Sequence, residues 1–192
     1  MNRRIFLVRH APIEVVSRGL IIGRTDVPIE PLPDAFVGPA PWPAHAHWVV
    51  SSALRAQQTA RWLGGGTWRD DADWWEQDHG LWEGKTWGHL WDTEPLAREY
   101  LDQFTRVRPP NGEHLGDVRR RAVRAFSRLP KETDAVVVAH AGSIRCVLAW
   151  ALQWPTRRAP FLEVAPLSCS VLQESSGGWR LLQLNVPLGT AL

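Results

Sequence analysis

Two short apolar runs, each ending at once in a histidine, constrain this chain more than any other feature. Ile5-Phe6-Leu7-Val8 is β-branched and aromatic and reads as a buried strand. It stops at Arg9-His10, and Pro12 discourages any continuation of a ladder. Asp134 to Ala139 reads as a second buried strand, followed directly by His140, then Ala141-Gly142-Ser143 and an apolar helical run from Ile144 to Leu152. Gly142 and Ser143 suit a tight turn and an N-cap. A helix starting there offers free backbone N–H groups and a positive end beside His140. Open α/β sheets hold their ligands beyond the C-terminal ends of strands. Histidine serves as nucleophile or proton carrier near neutral pH, and the planar fork of Arg9 suits a phosphate or carboxylate. Arg9-His10 alone would mark the end of an ordinary strand; two such ends together point to one shared phosphate site.

Between these strands the chain alternates. Ala11 to Pro31 reads as a loop, and the prolines from Pro31 to Pro43 rule out a long helix. Trp48-Val49-Val50 is a strand candidate. A helix then starts at Ser51-Ser52, runs through Arg55 to Trp62, and closes at Gly64-Gly65-Gly66. Arg55 falls in its first turn, where a solvated arginine is the ordinary expectation. Gly80 and Gly84 interrupt the segment Trp74 to Gly84, whereas Thr86 to about Thr105 has a helical pattern. After the turn Arg108-Pro109-Pro110-Asn111-Gly112, Leu115 to Leu129 reads as a basic amphipathic helix. Its arginines 119, 120, 121, 124 and 128 read as a solvated face. Leu167 to Glu174 and Trp179 to Asn185 read as a terminal hairpin. This order predicts an α/β fold with a mostly parallel sheet, as a single domain over residues 1–192.

Composition excludes several classes. The 192 residues suffice for one domain with a full core, and a net charge of +2 with interspersed signs gives no nucleic-acid stripe. No apolar run approaches membrane-spanning length, and the first is too short for a signal peptide core. Cys146 and Cys169 have no motif spacing, and Cys146 reads as buried and free. We therefore expect a cytoplasmic protein without nucleic-acid or membrane partners. No His/Cys/Asp cluster has metal-ligand spacing, so neither metal nor cofactor is expected. The twelve tryptophans, several of them between Trp68 and Trp91, suit a pocket lining or plain core.

In their order, several segments resemble the histidine phosphatase superfamily, also called the phosphoglycerate mutase-like family. Leu7-Val8-Arg9-His10-Ala11 resembles its signature; Gly23-Arg24-Thr25-Asp26-Val27-Pro28 is similar to the segment that follows. Ser51 to Ala60 looks like the second motif, Glu76-Gln77-Asp78-His79-Gly80 the third, and Val136 to Arg145 the last. The resemblance covers nearly the whole chain and implies a three-layer sandwich of phosphoglycerate mutase type. It implies that His10 is the nucleophile forming a phosphohistidine, and that Arg9, Arg55 and His140 bind the phosphate and stabilise the transferring group. The Ala141 N–H would help to hold the phosphate, and Arg24 would contribute to substrate binding. Glu76 would be general acid and then base, with Asp78 and Glu83 as close alternatives. The implied activity is metal-independent hydrolysis of a small-molecule phosphate monoester, with the segment around Arg24 similar to α-ribazole phosphatases.

The chain also departs from the family pattern. Ala11 and Ala141 replace glycines, Val16 stands where many members carry a phosphate-contacting Asn, and Ile22 stands where a polar residue is common. Ser17, Arg18 and Arg24 are the candidates to compensate. The middle segment between Gly84 and Pro109 is modest beside that of phosphoglycerate mutases, which favours hydrolysis over mutase-type transfer. A non-catalytic phospho-ligand or partner-binding protein is the reading from another class, since fold does not fix function. Retention of His10, Arg9, Arg55, Glu76 and His140 argues against it. An edge strand or the terminal hairpin leaves room for a homodimer.

Overall fold

The computed structural model describes residues 3–34, 36 and 40–189, so part of the proline-rich stretch lies outside it. Six strands form one sheet: β1 (Arg4–Arg9), β2 (His47–Val50), β3 (Arg69–Asp70), β4 (Ala135–Ala139), β5 (Ser168–Ser175) and β6 (Gly178–Pro187). Their order is β3-β2-β4-β1-β5-β6. The first four in this order are mutually parallel; β5 pairs antiparallel with β1, and β6 antiparallel with β5. The sheet is therefore mixed, the C-terminal hairpin extending a parallel centre.

The apolar runs explain that centre. All five residues of β4 are buried, as are Ile5 to Val8 of β1, because layers cover the sheet on both sides. Ile5, Leu7, Ala135 and Val137 pack against α4 (Leu115–Ser127) and α5 (Ala141–Ala151); Phe6, Val8, Val136 and Val138 pack with α1 (Leu54–Trp62). Each fully buried valine or leucine contributes about 1.5–3 kcal/mol. This is the expected three-layer sandwich.

The helical pattern from Thr86 resolves into two helices, α2 (Trp87–Thr93) and α3 (Pro95–Gln103). Glu94 is extended between them, as the residue before a proline prefers, and Pro95 opens α3. Ile21, Trp82, Leu90, Ala97 and Tyr100 form a separate apolar cluster that seats this pair against the loop after β1. Among the described residues no helix is long and apolar enough to cross a membrane. Cys146 and Cys169 are free and buried, and burial pushes their thiols up to about 12.

On the basic face of α4, Arg120, Arg124 and Arg128 are exposed as expected, but Arg121 is not. Arg121 is buried, forks onto both oxygens of Glu113, and donates to the carbonyls of Asp73, Trp75 and Glu76. Arg124 pairs with Asp73, Arg128 with Asp71 and Asp73, and Arg119 donates to Thr156. Arg121 lies three residues after Val118 and four before Ala125, on the inward stripe of the helix.

Candidate active site

Because β2, β4 and β1 are parallel neighbours, their C-terminal ends lie side by side. Ser51 N–H donates to the Val138 carbonyl and His10 N–H to the Ala139 carbonyl, so Ser51, His140 and His10 follow one another across the sheet edge. The two imidazoles lie 5.0 Å apart between centroids. His140 itself caps α5. Ser143, at the third helical position, closes the turn through its hydroxyl onto the His140 carbonyl at 3.1 Å, whereas Gly142 and Ser143 had been the expected turn and cap.

His10 Nδ1 lies 2.6 Å from the Ala11 carbonyl, which can only accept, so Nδ1 carries the proton and Nε2 keeps its lone pair. Nε2 has no hydrogen-bond partner among the described residues. Burial, then the charges of Arg55 and Arg9, push the His10 pKa down to about 3, which keeps the ring neutral. Ala11 N–H is held by Thr59 Oγ1 at 2.9 Å, and Thr59 in turn donates to the Arg55 carbonyl, fixing the backbone behind the nucleophile candidate.

Arg55 is buried, contrary to the solvated position expected of a first-turn arginine. The segment Gly23 to Asp26 folds over it. Arg55 Nη2 donates to the Gly23 carbonyl at 2.7 Å, Nη1 to the Thr25 carbonyl at 3.0 Å and Nε to His140 Nδ1 at 3.3 Å. His140 therefore carries its proton on Nε2, 2.8 Å from Ser51 Oγ. With Ser51 so engaged, α1 starts at Leu54 and not at the serines. Asp26, remote in sequence, supplies its cap by accepting from Leu54 N–H at 2.8 Å. Burial, then Arg55 and His10, hold His140 well below its ordinary pKa, so it too is neutral. Trp75 stacks on His140 at 6.1 Å and 8°.

Glu76 completes the group. Its carboxylate accepts from the N–H of Gly142 at 3.0 Å, at the positive start of α5, and from its neighbour Gln77 N–H. A Cβ on Gly142 would come within 2.1 Å of Glu76 Oε1, so the close approach requires glycine. Arg9 donates one terminal nitrogen to the Val164 carbonyl at 2.7 Å, and its buried Nε has no partner. Burial lowers the pKa of both Arg9 and Arg55, while Glu76 opposes the shift in each. At the cavity, buried Arg55 and part-buried Arg9 thus face the Glu76 carboxylate, with Arg145 also acting on Arg9 and Asp26 and Glu83 on Arg55 from outside it. This imbalance favours an anion.

A cavity of about 360 Å³ opens onto Arg9, His10, Arg55 and Glu76, with Ser17 and Arg18 on its far wall. Of the expected site residues, these first four line it. His140 reaches it only through Arg55 and His10. The N–H that Glu76 uses is that of Gly142, next to Ala141. Arg24 is not among the residues lining this cavity: its guanidinium stacks on Trp75 and faces Glu113 at 3.8 Å. Asp78 accepts from Gly80 N–H, and Glu83 holds the backbone N–H groups of Arg24, Thr25 and His79. Burial would raise the Glu83 carboxyl, but those hydrogen bonds outweigh it and leave it below the ordinary range. Only Glu76 of the three carboxylates lines the cavity. Val16 is exposed, whereas Ser17 and Ile22 are on the wall.

Sequence reasoning passed over Ser51, Trp75 and Arg121. For Ser51 the signal was present: it follows an apolar strand just as His10 and His140 do.

Fold and cavity together define an α/β protein with a histidine-floored, cationic pocket at the C-terminal ends of the parallel strands of a mixed sheet. The match of residues 5–187 to the model of the histidine phosphatase superfamily, branch 1, goes further: the chain belongs to that family of phosphatases. It superposes on the α-ribazole phosphatase from Shigella flexneri with a TM-score of 0.80 at 19% identity, over 98% of this chain and 100% of the other. For the mycobacterial glucosyl-3-phosphoglycerate phosphatase the TM-score is 0.79 at 23% identity, over 97% and 100%. A 6-phosphofructo-2-kinase/fructose-2,6-bisphosphatase of Caenorhabditis elegans is 28% identical over 179 residues, 85% of this chain. The chain spans 37% of that relative's length.

Proposed function

We propose that this chain hydrolyses phosphate monoesters through a phosphohistidine on His10. The observation that carries the reading is the locked tautomer: with Nδ1–H tied to the Ala11 carbonyl, Nε2 is the basic nitrogen, neutral and facing two arginines. The substrate phosphate sits between Arg9 and Arg55, which neutralise charge on the non-bridging oxygens as phosphoryl transfer spreads it. His10 Nε2 bonds to phosphorus as the ester P–O bond breaks. A proton carried on the Glu76 carboxyl passes to the departing alkoxide. Water then attacks the phosphorus, Glu76 takes the proton, and the N–P bond breaks to release phosphate and restore neutral His10.

His140 acts as a positioning group that aligns Arg55, itself oriented by Ser51. Arginines and a helix start supply the positive charge that metal ions supply elsewhere, so turnover needs no divalent cation. The short middle segment made of α2 and α3 favours water over a second acceptor. The phosphatase names of the structural neighbours and of the bifunctional relative agree with this chemistry.

The test is p-nitrophenyl phosphate hydrolysis with excess chelator, wild type beside His10→Ala. Turnover should survive chelator and fall on the order of 10⁴-fold or more in the variant. A variant with near-normal activity, or a wild type silenced by chelator, would refute the mechanism.

A further inference from the structure

Glu76 belongs to two cavities. One is the His10 pocket; the other, of about 300 Å³, lies across the carboxylate and is lined by Gln77, His79, Trp87, Tyr100, Leu101 and Phe104, among others. A group protonated by Glu76 as it leaves phosphorus must carry its remaining atoms away from His10, and this second cavity is the space adjoining the acid. We propose that it is the leaving-group subsite and that it selects phosphate monoesters of flat, aromatic alcohols over those of polyols. The inference rests on the phosphatase reading above.

The lining supports that class. Trp87 and Tyr100 stack at 5.9 Å and 14°, and His79 meets each edge-on. Of the polar ends in this wall, those of Tyr100 and Gln77 are already engaged. Tyr100 Oη donates to Gln77 Oε1 at 3.0 Å, and Gln77 Nε2 donates to the Glu113 carbonyl at 2.6 Å. Burial lowers the His79 pKa, so the ring is neutral, and its Nδ1 is tied to the Gln77 carbonyl at 3.1 Å. Over most of the wall a polyol would meet aromatic and aliphatic surface, at a cost of roughly 1–3 kcal/mol for each hydroxyl left unpaired. A ring would bury its faces against aromatic carbon. Leu101 on the wall is partly open to solvent, and Phe161, next to the lining residue Pro160, is 84% exposed, so the mouth is apolar as well.

Arg145 marks the seam between the cavities. It lines the aromatic one and acts electrostatically on Arg9 in the other. Its Nε is spent on the Leu162 carbonyl at 2.7 Å, and its terminal nitrogens have no partner among the described residues. A phosphate beside Arg9 with its ester oxygen at Glu76 would therefore meet one more cation before the ring begins.

The experiment compares kcat/KM for 2-(1-naphthyl)ethyl phosphate and glycerol 1-phosphate, two alkyl esters whose leaving groups differ little in basicity. The naphthyl ester should lead by at least about tenfold, some 1.4 kcal/mol. Leu101→Trp, which fills the cavity from its open side, should cut that ratio by a similar factor. Binding of 2-(1-naphthyl)ethylphosphonate against ethylphosphonate is measured in parallel and should favour the naphthyl compound by the same order. Turnover with an equal or inverted ratio overturns the subsite while leaving the phosphatase reading intact. Absence of turnover on both esters and on p-nitrophenyl phosphate overturns the phosphatase reading instead. The phosphonates then decide the subsite: equal binding refutes it, and preferential naphthyl binding sustains it.

Discussion

Arg55 uses three of its nitrogens on protein atoms, two of them on the carbonyls of Gly23 and Thr25. A guanidinium has five N–H donors, so two remain for an anion. Lysine keeps the charge but loses this division of labour. Arg55→Lys should therefore lower kcat/KM about a hundredfold and weaken inhibition by inorganic phosphate. Steady-state kinetics with phosphate as inhibitor check this, and a variant within threefold of wild type on both counts would remove Arg55 from the transition state. The burial of Arg55 was not legible locally. Helical position places it in an exposed first turn, and only the return of residues 23–26 over the helix encloses it, a long-range contact that no window of sequence contains. His10 and His140 were legible because their signal is local: an apolar strand that stops.

At the scale of elements, the start of α5 both ends the β4 crossover and holds the proton carrier. Its Gly142 is needed because Glu76 occupies the space of a side chain. Gly142→Ala should keep the helix, since alanine is the better helix former, yet push Glu76 out of line. Esters with poor leaving groups should then slow by tenfold or more beyond the slowing of p-nitrophenyl phosphate, because only they depend on protonation. Equal slowing of both would argue that Glu76 is not the acid. Strands β1, β2 and β4 and the terminal hairpin were readable from β-branched runs and glycine turns, whereas the two-residue β3 left no such pattern. The break between α2 and α3 was readable in principle from Glu94-Pro95, but the apolar period continues across it and masks the stop. The inward role of Arg121 was lost because five neighbouring arginines suggested one solvated face, when helical phase singles one of them out.

For the molecule as a whole, two buried neutral histidines make stability depend on acid. His10 titrates at about 3 when folded and near the ordinary 6.5 when unfolded. The unfolded chain therefore binds the extra proton first, and stability present above pH 6.5 is lost as pH falls toward 3, with a limiting slope of about 1.4 kcal/mol per pH unit for each such group. His140 adds in the same direction. Denaturant unfolding at pH 7 and pH 4.5 should show the stability advantage of wild type over His10→Gln shrinking at the lower pH. A difference independent of pH would mean that His10 is not held neutral by the fold.

The mixed sheet also governs when these groups come into being. The strand that carries His10 is central, and its neighbours arrive late: Arg4 contacts Asp134 130 positions onward, and Arg3 contacts Glu174 171 positions onward. A chain emerging from the ribosome thus holds β1 unpaired until some 130 further residues have been made, so these contacts close large loops and form slowly. The pocket cannot be half built. It appears only when β4 has paired with both β1 and β2, which makes anion binding a reporter of that assembly.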